Sequence, residues 1–148
     1  MKTKIITLGI LLVNILLNAQ KVEIQNDDVL LDGKAILKSE KINARQYSFY
    51  ALNGDEILMY KIFDNETPQY TEDDYYVLNF IEQKKKLQST DFSKVVVGLG
   101  MNSRKCMEKM TTWLLKEKVI TPEGKINPDK LDVLIDKYDE KILERTYR

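Results

Sequence analysis

Two short turn sequences, Asp32-Gly33 and Asn53-Gly54, constrain the fold of this chain more than any other feature, because strand-forming residues flank each of them. Both residues of such a pair tolerate the positive φ that a two-residue hairpin requires. The sequence therefore predicts two antiparallel hairpins joined by short links. The predicted arms are residues 29–31 and 35–37 around the first turn, and residues 46–52 and 55–63 around the second.

Further strand candidates lie on both sides of the two hairpins. Residues 22–25 form a short candidate before the first hairpin, and residues 75–83 form another after the second. Apolar residues occur on both faces of the later strands, which is typical of strands that are covered. The first half of the chain thus predicts an antiparallel β-meander of about five strands. Residues 91–100 fit either a strand or a short helix capped by Asp91.

The second half of the chain has the periodicity of helices. Asn102 or Ser103 is suited to cap a helix that runs to about Val119. Asn127 and Pro128 form a second helix start, because Asn is a good N-cap and Pro is favoured in the first turn. This last helix is predicted to run to about Leu143. The predicted fold class is α+β, with the meander followed by two or three C-terminal helices packed on one face.

The first nineteen residues have the pattern of a secretory signal peptide. Lys2 and Lys4 precede an apolar run over residues 5–17, and Ala19 supplies a small residue at the expected cleavage point. The apolar run is shorter than the roughly 20 residues that a membrane-spanning helix needs. We therefore expect cleavage after Ala19 and export to the periplasm or the outside of a bacterial cell. The mature part, residues 20–148, is predicted to be one domain with no stable membrane span.

The composition excludes several kinds of chemistry. The chain has no histidine, which removes the commonest general base and metal ligand. The single cysteine, Cys106, lies on the apolar face of its helix and is predicted to be buried and inert. The 23 basic residues balance the 23 acidic ones, so no basic surface for nucleic acid is expected. The sequence predicts no catalytic residue, no metal and no cofactor.

Acidic residues in two places are candidate contacts for a partner. In the last helix, the 100° rotation per residue places several acids on one side, away from the apolar face. A second group lies in the loop before the strand at residues 75–83, where the glycine of an EF-hand calcium loop is missing. Solvated outer surfaces are the alternative interpretation of both groups. The candidates are Asp132, Asp136, Asp139 and Glu140 in the helix, and Glu72, Asp73, Asp74 and Tyr75 at the loop.

Tyrosines are concentrated in the predicted sheet. If the helices cover one face of the sheet, the other face would display some of these rings and could bind a peptide, a glycan or a protein. Packing at the margin of the core is the alternative. The six residues are Tyr47, Tyr50, Tyr60, Tyr70, Tyr75 and Tyr76. The only basic run, Lys84, Lys85 and Lys86, is interpreted as a strand end that protects against aggregation.

Three functions are compatible with these features. The first is a small non-enzymatic interaction protein, whose partner is another protein or a peptide. The second is an inhibitor or immunity protein that neutralises a basic toxin or hydrolase through the acidic residues. The third is a carboxylate-dependent glycan or cell-wall hydrolase, which would need a cleft holding at least two acids, one of them with a raised pKa.

Overall fold

Seven antiparallel strands form one sheet, in which each strand pairs with its neighbours in the chain. This arrangement comes from a computed structural model, which describes residues 20–64, 74–98 and 102–142. The predicted signal peptide lies outside the described residues. The strands are β1 (Val22–Gln25), β2 (Asp28–Leu31), β3 (Lys34–Asn43), β4 (Gln46–Tyr50), β5 (Glu56–Phe63), β6 (Tyr75–Phe80) and β7 (Lys85–Ser89).

Two helices follow the sheet in the described part of the chain. They are α1 (Ser103–Lys116) and α2 (Pro128–Tyr138), and a short 3-10 helix at Phe92–Lys94 precedes them. Asp91 accepts a hydrogen bond from the Ser93 N–H at 2.9 Å, so this region contains the short capped helix and not a strand. The α+β class and the antiparallel meander are confirmed. The expected number of about five strands is wrong.

Strand β7 has no counterpart among the six candidate segments of the sequence. The pattern of residues 75–83 predicts one strand with the three lysines at its end. The structure instead ends β6 at Phe80 and turns through residues 81–84, with Lys84 at a positive φ of 53°. Strand β7 is short and carries two lysines, so its own composition does not predict a β-strand. Pairing with β6 places its Leu87 in the core, fully buried.

Both hairpins predicted from the turn sequences are present, but a two-residue turn is confirmed only at Asp32 and Gly33, and the expected two-residue turn at Asn53 and Gly54 is wrong. Asp32 and Gly33 have φ values of 50° and 83°, as a two-residue turn with positive φ at both positions requires. The second connection is longer than two residues, because β4 ends at Tyr50 and β5 begins at Glu56. Within it, the Ala51 N–H donates to the Asp55 carbonyl at 2.8 Å and the Gly54 N–H donates to the Ala51 carbonyl at 2.9 Å.

Helix α2 begins as predicted and ends earlier than predicted. The Asn127 side chain accepts from the Lys130 N–H at its start. Its end at Tyr138 contradicts the expected end near Leu143, because Asp139 leaves the helical conformation with ψ at 122°. From there the chain binds β7: the Glu140 N–H donates to the Gln88 carbonyl at 2.9 Å. Hydrogen bonds to a distant strand thus replace the last helical turn.

The strand register sorts the side chains onto two faces, because directly paired residues of an antiparallel sheet share a face. On the inner face, Tyr47 is hydrogen-bonded to Ser103 of α1, with the two hydroxyls 2.8 Å apart. Tyr76 packs edge-on against Phe92, with 5.4 Å between ring centroids. The helices therefore cover the inner face, and the opposite face is called the outer face below. Buried inner-face residues include Tyr47, Phe49, Leu58, Tyr60, Tyr76, Leu78, Phe80 and Leu87.

Side chains from segments that come after the sheet in the sequence accept hydrogen bonds from both of its edge strands, β1 and β7. On β1, the Ile24 N–H donates to the Glu108 carboxylate of α1 at 2.9 Å. Glu108 is buried and also accepts from Lys105 at 2.7 Å, so its charge is paired. On β7, the Gln88 N–H donates to the Asp139 carboxylate at 2.8 Å. Such contacts satisfy edge groups that would otherwise be free to pair with another chain. Cys106 is buried, as predicted.

Candidate functional site

The four acidic candidates predicted on the last helix do not all belong to it. Asp132 pairs with Lys85 at the start of β7. Asp136 is exposed, and its carboxylate makes no hydrogen bond or ion pair with the described part of the chain. Asp139 and Glu140 lie beyond the helix and bind β7 and Thr90, which follows it. The expected single stripe is therefore wrong, because the helix ends before its last two members.

The structure brings two of the acidic candidates to one end of the sheet. Asp74 directly precedes β6, whose Tyr76 pairs with Ser89 of β7. Glu140 accepts a hydrogen bond from the Thr90 hydroxyl at 3.0 Å, next to Ser89. Asp74 and Glu140 are far apart in the sequence, so only strand pairing reveals that they share this end. Glu72 and Asp73 lie outside the described residues.

Charge at this end of the sheet affects the buried tyrosine beneath it. Burial raises the pKa of Tyr76 to about 12, and the negative charges of Asp91 and Glu140 add to the increase. The pKa of Asp91 is lowered, mainly by hydrogen bonds from Ser93. The Tyr76 side chain is therefore a neutral part of the core at physiological pH.

Because Asp139 and Asp136 lie in different environments, replacing them should change the free energy of unfolding by different amounts. We expect Asp139→Ala to lower the free energy of unfolding by about 1–3 kcal/mol, because it removes the acceptor of an N–H on buried Gln88. The same change at exposed Asp136 should alter it by less than about 0.5 kcal/mol. Urea denaturation followed by circular dichroism measures both. Equal losses would contradict the structural role of Asp139.

Aromatic side chains lie at the same end of β5 and β6, on the outer face. Phe63 and Tyr75 are paired residues whose rings stack with centroids 4.9 Å apart and an angle of 8° between their planes. The Lys61 ammonium group lies 4.8 Å from the Phe63 ring centroid, within the range of a cation–π interaction. All three side chains are half-buried, so part of each remains accessible. We call these three residues the aromatic cluster.

The tyrosines predicted from the sequence divide between the two faces. Tyr47, Tyr60 and Tyr76 are buried on the inner face, as the core interpretation expects. Tyr50 and Tyr75 lie on the outer face, where the Tyr50 hydroxyl donates to the Glu40 carboxylate at 2.9 Å. Tyr70 lies outside the described residues. Phe63 and Lys61 were not identified as candidates, although their alternation along β5 places them on one face of the strand.

The lysine run occupies a turn and the first half of a strand. Lys84 is in the turn between β6 and β7, and Lys85 points to the inner-face side, where it pairs with Asp132. Lys86 is exposed on the outer face, in the same cross-strand row as Met59 and Asn79. The interpretation of this run as the end of a strand is therefore wrong. Its lysines belong to three different environments.

A cleft of about 640 Å³ lies at the opposite end of the sheet, where three connections meet. They are the β4–β5 connection, the β6–β7 turn and the segment between α1 and α2. We call this site the turn-end cleft. Its acids are Asp55, Glu56 and Glu82, and its apolar walls include Ile57, Ile81 and Ile126. Asp55 and Glu82 come from connections and Glu56 begins β5, so the sequence offers no signal that they converge.

Two of these acids accept hydrogen bonds from neighbouring amides. The Asn53 side-chain N–H donates to the Asp55 carboxylate at 2.9 Å, and the Gln83 side-chain N–H donates to Glu82 at 3.4 Å. The cleft contains the two acids that the hydrolase hypothesis requires. That hypothesis also requires the acids to flank a scissile bond, and it stays a prediction.

Within residues 20–64, 74–98 and 102–142, no cluster of three acidic or cysteine side chains is arranged to hold a metal ion. In the same ranges, no helix combines the length and the apolar character needed to cross a membrane. Comparison of the chain with known protein families, curated proteins and solved structures gave no match.

Proposed function

We propose that this chain is a small exported binding protein without catalytic activity, which recognises another polypeptide on the outer face of its sheet. The observation that supports this proposal is the half-buried aromatic cluster of Lys61, Phe63 and Tyr75. Aromatic rings of this kind supply large contact areas at a low cost in side-chain entropy. Their stacking holds them in one arrangement before a partner arrives, which favours binding.

The charges around the cluster indicate the chemistry of the partner. On the outer face, Lys61 lies on β5 and Lys86 on the edge strand β7, and Lys38 lies on β3, which β4 separates from β5. Met59 is half-buried in the same region and adds apolar area beside Gln46, whose side-chain amide lies 3.1 Å from the Met59 sulfur. We therefore propose a partner segment in which apolar side chains alternate with carboxylates.

Affinity capture with residue-specific variants tests this proposal. The C-terminally tagged protein would be incubated with extract from the cells that produce it, at low and high salt. We expect capture of a stoichiometric protein partner, and this capture should fall at least tenfold with Tyr75→Ala or Lys61→Glu. A tenfold fall in affinity corresponds to a loss of about 1.4 kcal/mol of binding free energy. High salt should also weaken capture, because part of the attraction is between charges.

A charge change on the helical side provides the matched control. Lys116→Glu alters an exposed residue of α1 by the same charge as Lys61→Glu and should leave capture unchanged. Circular dichroism would establish that every variant is folded. A partner that is captured equally by wild type, Tyr75→Ala and Lys61→Glu would overturn the assignment to the outer face.

An inhibitor or immunity protein is the second candidate function. It is favoured by the shared position of Asp74 and Glu140 at one end of the sheet, next to the aromatic cluster. In that case the partner would be basic, and Asp74→Lys would abolish capture while Lys61→Glu would strengthen it. The same experiment thus separates an acidic partner from a basic one.

A further inference from the structure

The pair Asn53-Gly54 has a chemical property besides its turn preference. The backbone nitrogen that follows an asparagine can attack the side-chain carbon Cγ and close a succinimide ring. This ring closes most readily before glycine, because glycine has no Cβ to shield its nitrogen. Asn53 is the only asparagine of the chain that precedes a glycine. Both residues are exposed, and a Cβ at Gly54 would meet no atom within 4 Å, so the ring and a water molecule have room.

The Asn53 side chain is folded over the backbone that follows it. The Asp55 N–H donates to Asn53 Oδ1 at 3.1 Å, which forms an Asx-turn. The hydrogen-bonded ring of this turn includes both Asn53 Cγ and the Gly54 nitrogen, so the two atoms that must bond belong to one compact loop. The Ala51 N–H donates to the Asp55 carbonyl at 2.8 Å and holds the backbone of the loop in place.

Asp55 contacts both atoms of the Asn53 amide at which charge develops during the reaction. Attack of the Gly54 nitrogen on Cγ places negative charge on Asn53 Oδ1, to which the Asp55 N–H already donates. The Asn53 Nδ2 atom must then be protonated before it leaves. The Asp55 carboxylate accepts a hydrogen bond from Nδ2 at 2.9 Å, so it stabilises the positive charge of the protonated nitrogen.

A backbone hydrogen bond opposes the reaction. The Gly54 N–H donates to the Ala51 carbonyl at 2.9 Å, and this bond must open before the nitrogen can attack. A hydrogen bond in an exposed turn opens readily, because water replaces the lost partner. The contact therefore slows the attack without preventing it.

We propose that Asn53 is a site of spontaneous covalent modification, at which the folded protein converts this asparagine into aspartate or isoaspartate. The Gly54 nitrogen gives its proton to solvent, its electron pair forms the bond to Asn53 Cγ, and the Cγ–Nδ2 bond breaks. Nδ2 takes a proton from water and leaves as ammonia. Water then opens the ring. Cleavage of the bond from the Gly54 nitrogen to Cγ gives aspartate, and cleavage of its bond to the Asn53 backbone carbonyl carbon gives isoaspartate.

Either product changes the β4–β5 connection. A carboxylate replaces the Asn53 amide and adds a negative charge beside Asp55, to which the amide now donates. Isoaspartate also lengthens the main chain by a methylene group. This inference is independent of the proposed polypeptide partner.

Incubation of the folded full chain in mildly alkaline buffer, followed by peptide mapping with mass spectrometry, tests the proposal. Asn43 is an internal control, because it is exposed and forms the same Asx-turn, with the Arg45 N–H donating to its Oδ1 at 2.8 Å, but it precedes Ala44. We expect Asn53 to be converted at least about tenfold faster than Asn43. Isoaspartate among the products identifies the succinimide route, since direct hydrolysis of the amide gives aspartate alone. Conversion of Asn53 in urea but not in the folded chain would overturn the proposal.

A pair of variants tests the contribution of Asp55. Asp55→Asn keeps an acceptor oxygen beside Asn53 Nδ2 but removes the charge, and should slow the conversion of Asn53 at least about threefold. Glu56→Gln removes the same charge one residue later, where the side chain makes no hydrogen bond to Asn53, and should leave the rate unchanged. Circular dichroism would establish that both variants are folded. Equal rates in the two variants would overturn the assignment of this role to Asp55.

Discussion

Replacing Gly124 with alanine should lower the free energy of unfolding by about 3 kcal/mol or more. Gly124 lies in the connection between α1 and α2 and has a φ of +76°, a conformation that is unfavourable for residues with a Cβ. A Cβ at this position would also lie 2.1 Å from the Ile36 carbonyl oxygen in β3. Because both groups belong to backbone, neither moves away without displacing a strand or the connection.

Gly33 provides a control that separates these two causes. Its φ of +83° is similar, but a Cβ there would have no atom within 4 Å. Gly33→Ala should therefore lower the free energy of unfolding only by the cost of the unfavourable φ, about 1–2 kcal/mol. Urea denaturation followed by circular dichroism measures the difference between the two variants. If Gly33→Ala and Gly124→Ala lost the same stability, the close packing of the helix connection on β3 would be refuted.

Leu134→Ala should lower the free energy of unfolding by about 2–5 kcal/mol, because it leaves a cavity under helix α2. Leu134 is 1% exposed and lies with Leu131 on the face of α2 that meets the core. Val133, one residue earlier, is 57% exposed. Val133→Ala should therefore change stability by less than about 0.5 kcal/mol. A larger loss for Val133→Ala than for Leu134→Ala would show that α2 is rotated about its axis.

Thermal denaturation gives a second measure of the stability of Leu134→Ala and Val133→Ala. Both variants replace an apolar side chain with alanine in the middle of one helix, so the change in helix propensity is small in each. The difference between them then reports burial alone. In the urea experiment, an unchanged slope of the free energy of unfolding against urea concentration would show that Leu134→Ala retains the fold.

Local signals in the sequence were sufficient for the parts of the fold that are stabilised locally. The turn at Asp32 and Gly33 depends on the φ preferences of two adjacent residues. The start of α2 depends on a cap within three residues, from Asn127 to Lys130. Both were predicted correctly, because the residues that determine the structure are neighbours in the chain.

The errors occur where distant residues determine the structure. Strand β7 forms because Leu87 pairs with Leu78 and is buried, not because its five residues favour a strand. Helix α2 ends at Tyr138 because Asp139 and Glu140 bind Gln88, about fifty residues earlier in the chain. The periodicity of residues 139–143 continued to predict a helix, since it contains no information about that strand.

The same distinction applies to the candidate sites. Alternation along a strand places Lys61 and Phe63 on one face, but only the register with β6 places Tyr75 against Phe63. The turn-end cleft combines Glu56 of β5, Glu82 of the β6–β7 turn and Ile126 of the segment between α1 and α2. Nothing in the spacing of these residues predicts that they meet.

The sequence by itself determined the α+β class, the antiparallel meander, the first hairpin turn and the helix starts, because these depend on contacts between neighbours. The tertiary structure alone decided the number of strands, the end of α2, the separation of the acidic residues and the position of the cleft. These features depend on contacts between residues that are far apart in the chain, and a local sequence pattern contains no information about such contacts.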